Sequence, residues 1–195
     1  MINKIWSQYA DLIGTYIVVI GLITLIRRFF PPDFAISLSA VLMFGAPFIM
    51  KSDVRGLSWN TRGVILGIIV SVVILSIYVL IVDKPIRFGR ISYSLIVLQL
   101  FFVALPEEVF FRGYLQEKIG NNVKGVLVVS ALFVLGHLVA RCVGGGFSGS
   151  TCLQDLLTFF PSIVMGFLYA ASGTLWGNIA FHFLANVIYE ATGGL

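Results

Sequence analysis

The sequence predicts an all-α, polytopic integral membrane protein with about seven transmembrane helices, and three observations carry that prediction. Of the 195 residues, 58% are hydrophobic, against roughly 45–50% in an average soluble domain. Charged residues supply 11%, under half of the usual ~25%, and mean hydropathy is +1.00. Long charge-free runs alternate with short polar joints, none of them long enough to hold a separate soluble domain. So little polar surface cannot wrap one water-soluble core, which excludes a soluble enzyme or nucleic-acid binder. The net charge of +4 reflects scarce acids, and the 13 Lys and Arg scattered between apolar runs read as loop anchors, not as a nucleic-acid patch. One membrane domain spanning 1–195 is expected at this length.

The first run, 10–26, follows a lone Lys4 and is closed by Arg27 and Arg28. No small-residue cleavage site follows it, so it is expected to remain as an uncleaved span. The second, 34–50, is seventeen residues with Pro47 near its end, the short limit for crossing a bilayer, and reads as a span or a re-entrant segment. The third, 63–82, is twenty residues without a charge. The remaining four are expected at 91–116, 124–140, 153–172 and 174–190. Trp6, Trp59 and Tyr93 near segment ends suit interfacial anchors. Lys and Arg divide seven to six between the two sides and set no orientation. There is no internal repeat of the kind that marks inverted-repeat transporters. Cys142 and Cys152 flank the glycine-rich stretch VGGGFSGST. They either close a disulfide in an oxidising compartment or remain two reduced thiols, and the stretch between them is either a surface connection or a mobile gate.

Ionisable groups at membrane depth point to function. Residues 105–116 read LPEEVFFRGYLQ and place Glu107, Glu108 and Arg112 inside an apolar run. A charge at the helix centre costs about 2.5–3.5 kcal/mol even on lenient insertion scales, so such groups usually work. Glu108 and Arg112 are four apart, share a helix face and can neutralise each other. Glu107 points about 100° away and has no partner nearby in sequence, which suits a general base or acid. Pro106 either kinks the helix or starts a segment whose first turn holds the glutamates. The only two histidines, His137 and His182, also lie in apolar runs. His137 follows Phe133 by four residues, and His182 precedes Asn186 by four, so imidazole and carboxamide share a face. Buried polar groups need partners, so these helices are expected to turn them toward one another. A purely structural knot would gain only about 0.6 kcal/mol per hydrogen bond, and it needs no glutamate in excess of its arginine. Asp155 fits a helix N-terminal acid, Glu190 an interfacial one, and Gln99 an ordinary helix hydrogen-bonder.

Glu107-Glu108-x-x-x-Arg112, Phe133-x-x-x-His137 and His182-x-x-x-Asn186 follow in that order on successive apolar runs. Together they resemble the signature of the CPBP (Abi) family of intramembrane proteases, which includes the type II CAAX prenyl endopeptidases. The resemblance covers about 91–190, with 1–90 as accessory helices. It implies a glutamate-dependent membrane endopeptidase with no cofactor and no metal, acting on a membrane-associated protein or peptide in the cell membrane. It also implies that Glu107 with His137 activates water. Arg112 and Glu108 would hold the site in shape, His182 and Asn186 would bind the oxyanion, and Phe133 would pack around them. Amide hydrolysis needs just these parts: a base for water, donors for a tetrahedral oxyanion, and sparing access of water. A zinc site built from two histidines and a carboxylate is the mechanistic rival, although HExxH is absent. Activity lost on chelation and restored by zinc would favour it. Two other functions compete: a catalytically idle scaffold for a membrane partner, and a small transporter with a proton-relay carboxylate.

Overall fold

Four polar side chains begin helices by accepting a hydrogen bond from a backbone N–H one turn ahead. Asn60 takes Gly63 N at 3.2 Å, Ser92 takes Leu95 N at 3.1 Å, Asn122 takes Gly125 N at 3.0 Å and Thr174 takes Trp176 N at 3.4 Å. The computed structural model describes residues 2–145 and 148–193, with side chains from Ala10 onward apart from those of Arg55, Ser150 and Thr151. The anchoring expected of Trp6 and the middle of the glycine-rich stretch, 146 and 147, lie outside that description. The described residues form helices joined by short turns, with no strand among them.

The helices are α1 (Ile2–Phe29), α2 (Pro32–Ile49), α3 (Thr61–Val82), α4 (Tyr93–Ile119), α5 (Val123–Val143), α6 (Gly149–Leu157), α7 (Phe159–Ser172) and α8 (Leu175–Thr192). Six stretches are long and apolar enough to cross a bilayer: Ala10–Phe29 of α1, α2, α3, α4, α5, and Cys152–Ser172 of α6 and α7. The seventh expected span is α8, a full 18-residue helix. It carries Asn178, His182, Asn186 and Glu190, which lower its apolarity, and it buries Asn178 and His182 inside the bundle. The second expected span is a continuous helix, α2, and not a re-entrant turn.

Helix α3 shows the inverted pattern that a lipid solvent selects. Ile65, Ile69, Val72, Val73, Leu80 and Ile81 are exposed, while the buried face is Gly63, Gly67 and Ser71, small residues that let helix backbones approach. A Cβ on Gly67 would lie 2.5 Å from Gly177 Cα, so α3 lies directly on the backbone of α8.

Helix α4 is the hub, with every residue from Val109 to Gln116 buried between α2, α5, α7 and α8. Pro106 lacks the N–H that would close a turn. The helix continues through it as one α-turn, Leu105–Glu108, between widened π-type stretches at Leu98–Ala104 and Val109–Gln116. Of the two readings of Pro106, the structure thus gives a local rearrangement within a continuous helix. A third widened stretch, Leu138–Val143, follows His137 at the end of α5. There Cys142 is disulfide-bonded to Cys152 of α6.

Candidate active site

The two adjacent glutamates of α4 have different surroundings. Glu108 and Arg112 are fully buried, at 0% exposure, and paired through Oε1 and Nη1 at 3.2 Å. Arg112 Nη2 also donates to the backbone carbonyl of Ser162 at 3.0 Å and to its hydroxyl at 2.7 Å. The guanidinium lies 4.9 Å above the Phe133 ring, a cation–π contact. Oε1 of Glu108 accepts from Nδ1 of His182 at 2.9 Å, and Oε2 from the carboxamide of Asn178 at 3.3 Å. Asn178 donates to Met165 O as well, at 2.6 Å. Both oxygens of this carboxylate are thus hydrogen-bonded, Oε1 to two donors and Oε2 to one.

Glu107 is 14% exposed, and its Oε2 is shielded without a hydrogen-bond partner. Nε2 of His182 lies 3.7 Å from it and Nε2 of His137 lies 3.9 Å away. These separations exceed a direct hydrogen bond and match the reach of one bridging water. Nδ1 of His137 is 3.0 Å from the Phe133 carbonyl. A carbonyl can only accept, so Nδ1 carries a proton, and Nε2 is the ring nitrogen turned toward Glu107. His182 is fixed in the same sense, Nδ1 donating to Glu108 and Nε2 facing Glu107. Phe133 packs 4.4 Å from the His137 ring and 6.1 Å from that of His182. The set can therefore hold a water between the Glu107 carboxylate and an imidazole Nε2, with Glu108 and Arg112 bracing His182.

Five of the six residues expected from sequence meet here: Glu107, Glu108, Arg112, His137 and His182. The sixth, Asn186, points its amide to Gln99 Oε1 at 2.9 Å, one turn along α8 from His182. Gln99 therefore pairs across helices instead of hydrogen-bonding within its own. Asn178 and Ser162 were not singled out by the sequence. Asn178 could have been, since it stands four residues before His182 on the same face; Ser162 has no such signal. Asp155 departs from its expected place. Helix α6 begins at Gly149, so Asp155 falls in its second half, where it is buried and paired with Arg141 at 3.2 Å.

Residues 89–188 match the family model described as Type II CAAX prenyl endopeptidase Rce1-like. That stretch is just over half of the 195-residue chain and includes all six motif positions. The chain belongs to this family. No curated protein and no solved structure matches it. As a member of the Rce1-like family it is a multi-pass membrane protein of the CAAX-type intramembrane protease class, working in lipid on membrane-associated substrates.

Proposed function

We propose that the protein is an endopeptidase of the cell membrane that cleaves a peptide bond in a membrane-associated protein or peptide, with Glu107 as general base. Residues 91–190 are the catalytic core and 1–90 the accessory helices. The observation that carries the reading is the shielded, unpartnered Oε2 of Glu107, with two imidazole Nε2 atoms within 4 Å of it.

In this mechanism Glu107, with the Nε2 lone pair of His137 alongside, takes a proton from water as the oxygen attacks the scissile carbonyl carbon. The oxyanion is received by Nε2 of His182, when that ring carries both protons, and by the second N–H of the Asn186 carboxamide. Glu107 then returns its proton to the departing amine, and the C–N bond breaks to give one carboxylic acid and one amine. No cofactor enters the balance. Glu108 and Arg112 keep His182 oriented and are not consumed. The substrate class includes precursors matured at the membrane, sorting helices trimmed from a C-terminus, and bacteriocin-related peptides. The prenylated CAAX proteins of the family's description belong among the first substrates to try.

The test compares the termini of membrane and secreted proteins in cells carrying wild type or Glu107→Gln at matched levels. General base catalysis is worth ~10²–10⁴ in rate, so specific proteins should keep an uncut segment only in the variant. Identical termini, with a deletion phenotype rescued equally by both forms, would overturn the reading in favour of a scaffold.

A further inference from the structure

A second ionic cluster adjoins the site, and the mechanism above does not use it. Arg141 follows His137 by one turn on α5, and Arg27 occupies the last turn of α1. They meet because of Gly144. A Cβ there would lie 2.7 Å from Thr24 O and 3.3 Å from Arg27 Cβ, so only glycine lets the end of α5 lie against α1. The buried Asp155 pairs with Arg141 at 3.2 Å.

Hydrogen bonding in this cluster is incomplete. Arg27 Nε is shielded from solvent and has no acceptor among the described residues. Leaving such a donor unpaired is costly, and native structures rarely do so without a reason. Arg141 Nη1 and Asp155 Oδ1, 3.2 Å apart, form an ion pair that leaves Oδ1 without a hydrogen bond, and the Arg141 side chain remains 43% exposed, so its guanidinium is open to a further acceptor. The half-open Arg141 guanidinium and the unpartnered Arg27 Nε, brought together by the contact of α5 with α1, offer donors of the kind a carboxylate accepts.

We infer that Arg27 and Arg141 form a subsite for a carboxylate of the substrate, next to the scissile bond. The inference rests on the proteolytic reading for the identity of the ligand. Asp155 holds Arg141 in place, and the subsite lies one helical turn beyond His137. The carboxylate is either the substrate's C-terminal group or an Asp or Glu side chain close to the cut. Such a group fixes the peptide's register against Glu107, in the way that a charged anchor positions a reacting bond. Arg27 and Arg141 are specificity residues in this scheme, since neither touches the reacting atoms.

The experiment reads binding, not turnover, so its failure is distinct from that of the protease reading. Full-length Glu107→Gln protein in phosphatidylcholine nanodiscs is titrated with three fluorescent N-palmitoyl peptides of one apolar sequence. One ends in a free carboxylate, one in a carboxamide, and one in a carboxamide preceded by Asp. At least one carboxylate form should bind about tenfold tighter than the plain amide, the scale of a charge-assisted hydrogen bond. Which form does so names the source of the carboxylate. Arg27→Gln should erase the preference, and Arg27→Lys should keep part of it. Arg141→Gln removes the partner of a buried Asp155 and could unfold the region, so the Arg27 pair carries the test. Equal binding of all three peptides overturns the subsite. So does a preference that disappears when phosphatidylglycerol is added, because the pair would then be a lipid-headgroup site.

Discussion

Nδ1 of His182 lies 2.9 Å from Oε1 of Glu108, the same oxygen that takes Arg112 Nη1 at 3.2 Å. One carboxylate oxygen thus orients an imidazole and neutralises a guanidinium, while its twin is held by Asn178. Glu108 is fully buried and both of its oxygens already accept from protein donors. The roughly 100° between consecutive helix positions takes Glu107 out of this network and leaves its Oε2 among two Nε2 atoms. The division of labour between adjacent glutamates follows from that rotation: the satisfied one is a brace, the unsatisfied one is chemically available.

The brace should be measurable as stability. Removing one partner of a buried ion pair costs about 3–5 kcal/mol, because the other charge is left uncompensated. Glu108→Gln and Arg112→Met should each lose that much in SDS-driven unfolding from mixed micelles. The double variant should recover part of it, since its cavity then holds two neutral side chains. Single variants as stable as wild type would show that the pair is solvated in the bilayer and braces nothing.

Asn178 and Asn186 share a face of α8 with His182 between them, yet their partners give them different jobs. Asn178→Ala strips a donor from Glu108 and another from Met165 O, so it should lower stability by roughly 1–3 kcal/mol. Asn186→Ala leaves the carboxylates untouched and should cost hydrolysis ~10²–10³ at nearly unchanged stability, as loss of one oxyanion donor does. Gln99→Leu should give a smaller fall in kcat with similar KM, because it only orients Asn186. If Asn186→Ala unfolds the protein while Asn178→Ala slows turnover, the two assignments are reversed.

These partners also mark the limits of the sequence. The long apolar helices were legible because a bilayer tolerates no unpaired backbone and demands long apolar runs. Their ends shifted by a few residues, since caps such as Asn60 and Asn122 sit in polar joints ahead of the apolar stretch. The Glu108–Arg112 pair was legible from spacing alone. Ser162 stands 50 residues from Arg112 and Gln99 87 residues from Asn186; no periodicity links such positions, and only packing brings them together. Asp155 was misplaced for a local reason: α6 starts in a polar, glycine-rich stretch that hides its first turns. The resemblance to the protease family named the cluster, and the packing of α1 against α5 then supplied a neighbour, Arg27, from outside the matched region.

The closeness of α3 and α8 gives a third prediction. Gly67 has the backbone of Gly177 where its Cβ would be, at 2.5 Å, whereas Gly21 has nothing within 4 Å. Gly67→Val should push α3 away from α8, destabilise by about 1–3 kcal/mol, and lower activity by displacing His182. Gly21→Val, at a partly exposed position of α1 with open space where its Cβ would be, should leave stability within about 0.5 kcal/mol, as surface changes usually do. Equal effects of the two would show that the helices are not in backbone contact.

The Cys142–Cys152 bond supplies what the Lys and Arg distribution could not, an orientation. Disulfides persist in oxidising compartments and are rare in the cytosol, so the joint between α5 and α6 should face away from the cytoplasm. Arg27 and Arg141 lie at that same end of the bundle, which would put the carboxylate subsite on the outer side. The chain has only two cysteines, so labelling is unambiguous. In intact cells a membrane-impermeant maleimide should add nothing before reduction. After mild reduction it should add up to two labels, blocked by prior treatment with an impermeant thiol reagent from outside. Labelling of unreduced protein would mean that the thiols are free. Labelling only after the cells are opened would place the joint on the cytoplasmic side, and with it Arg27 and Arg141.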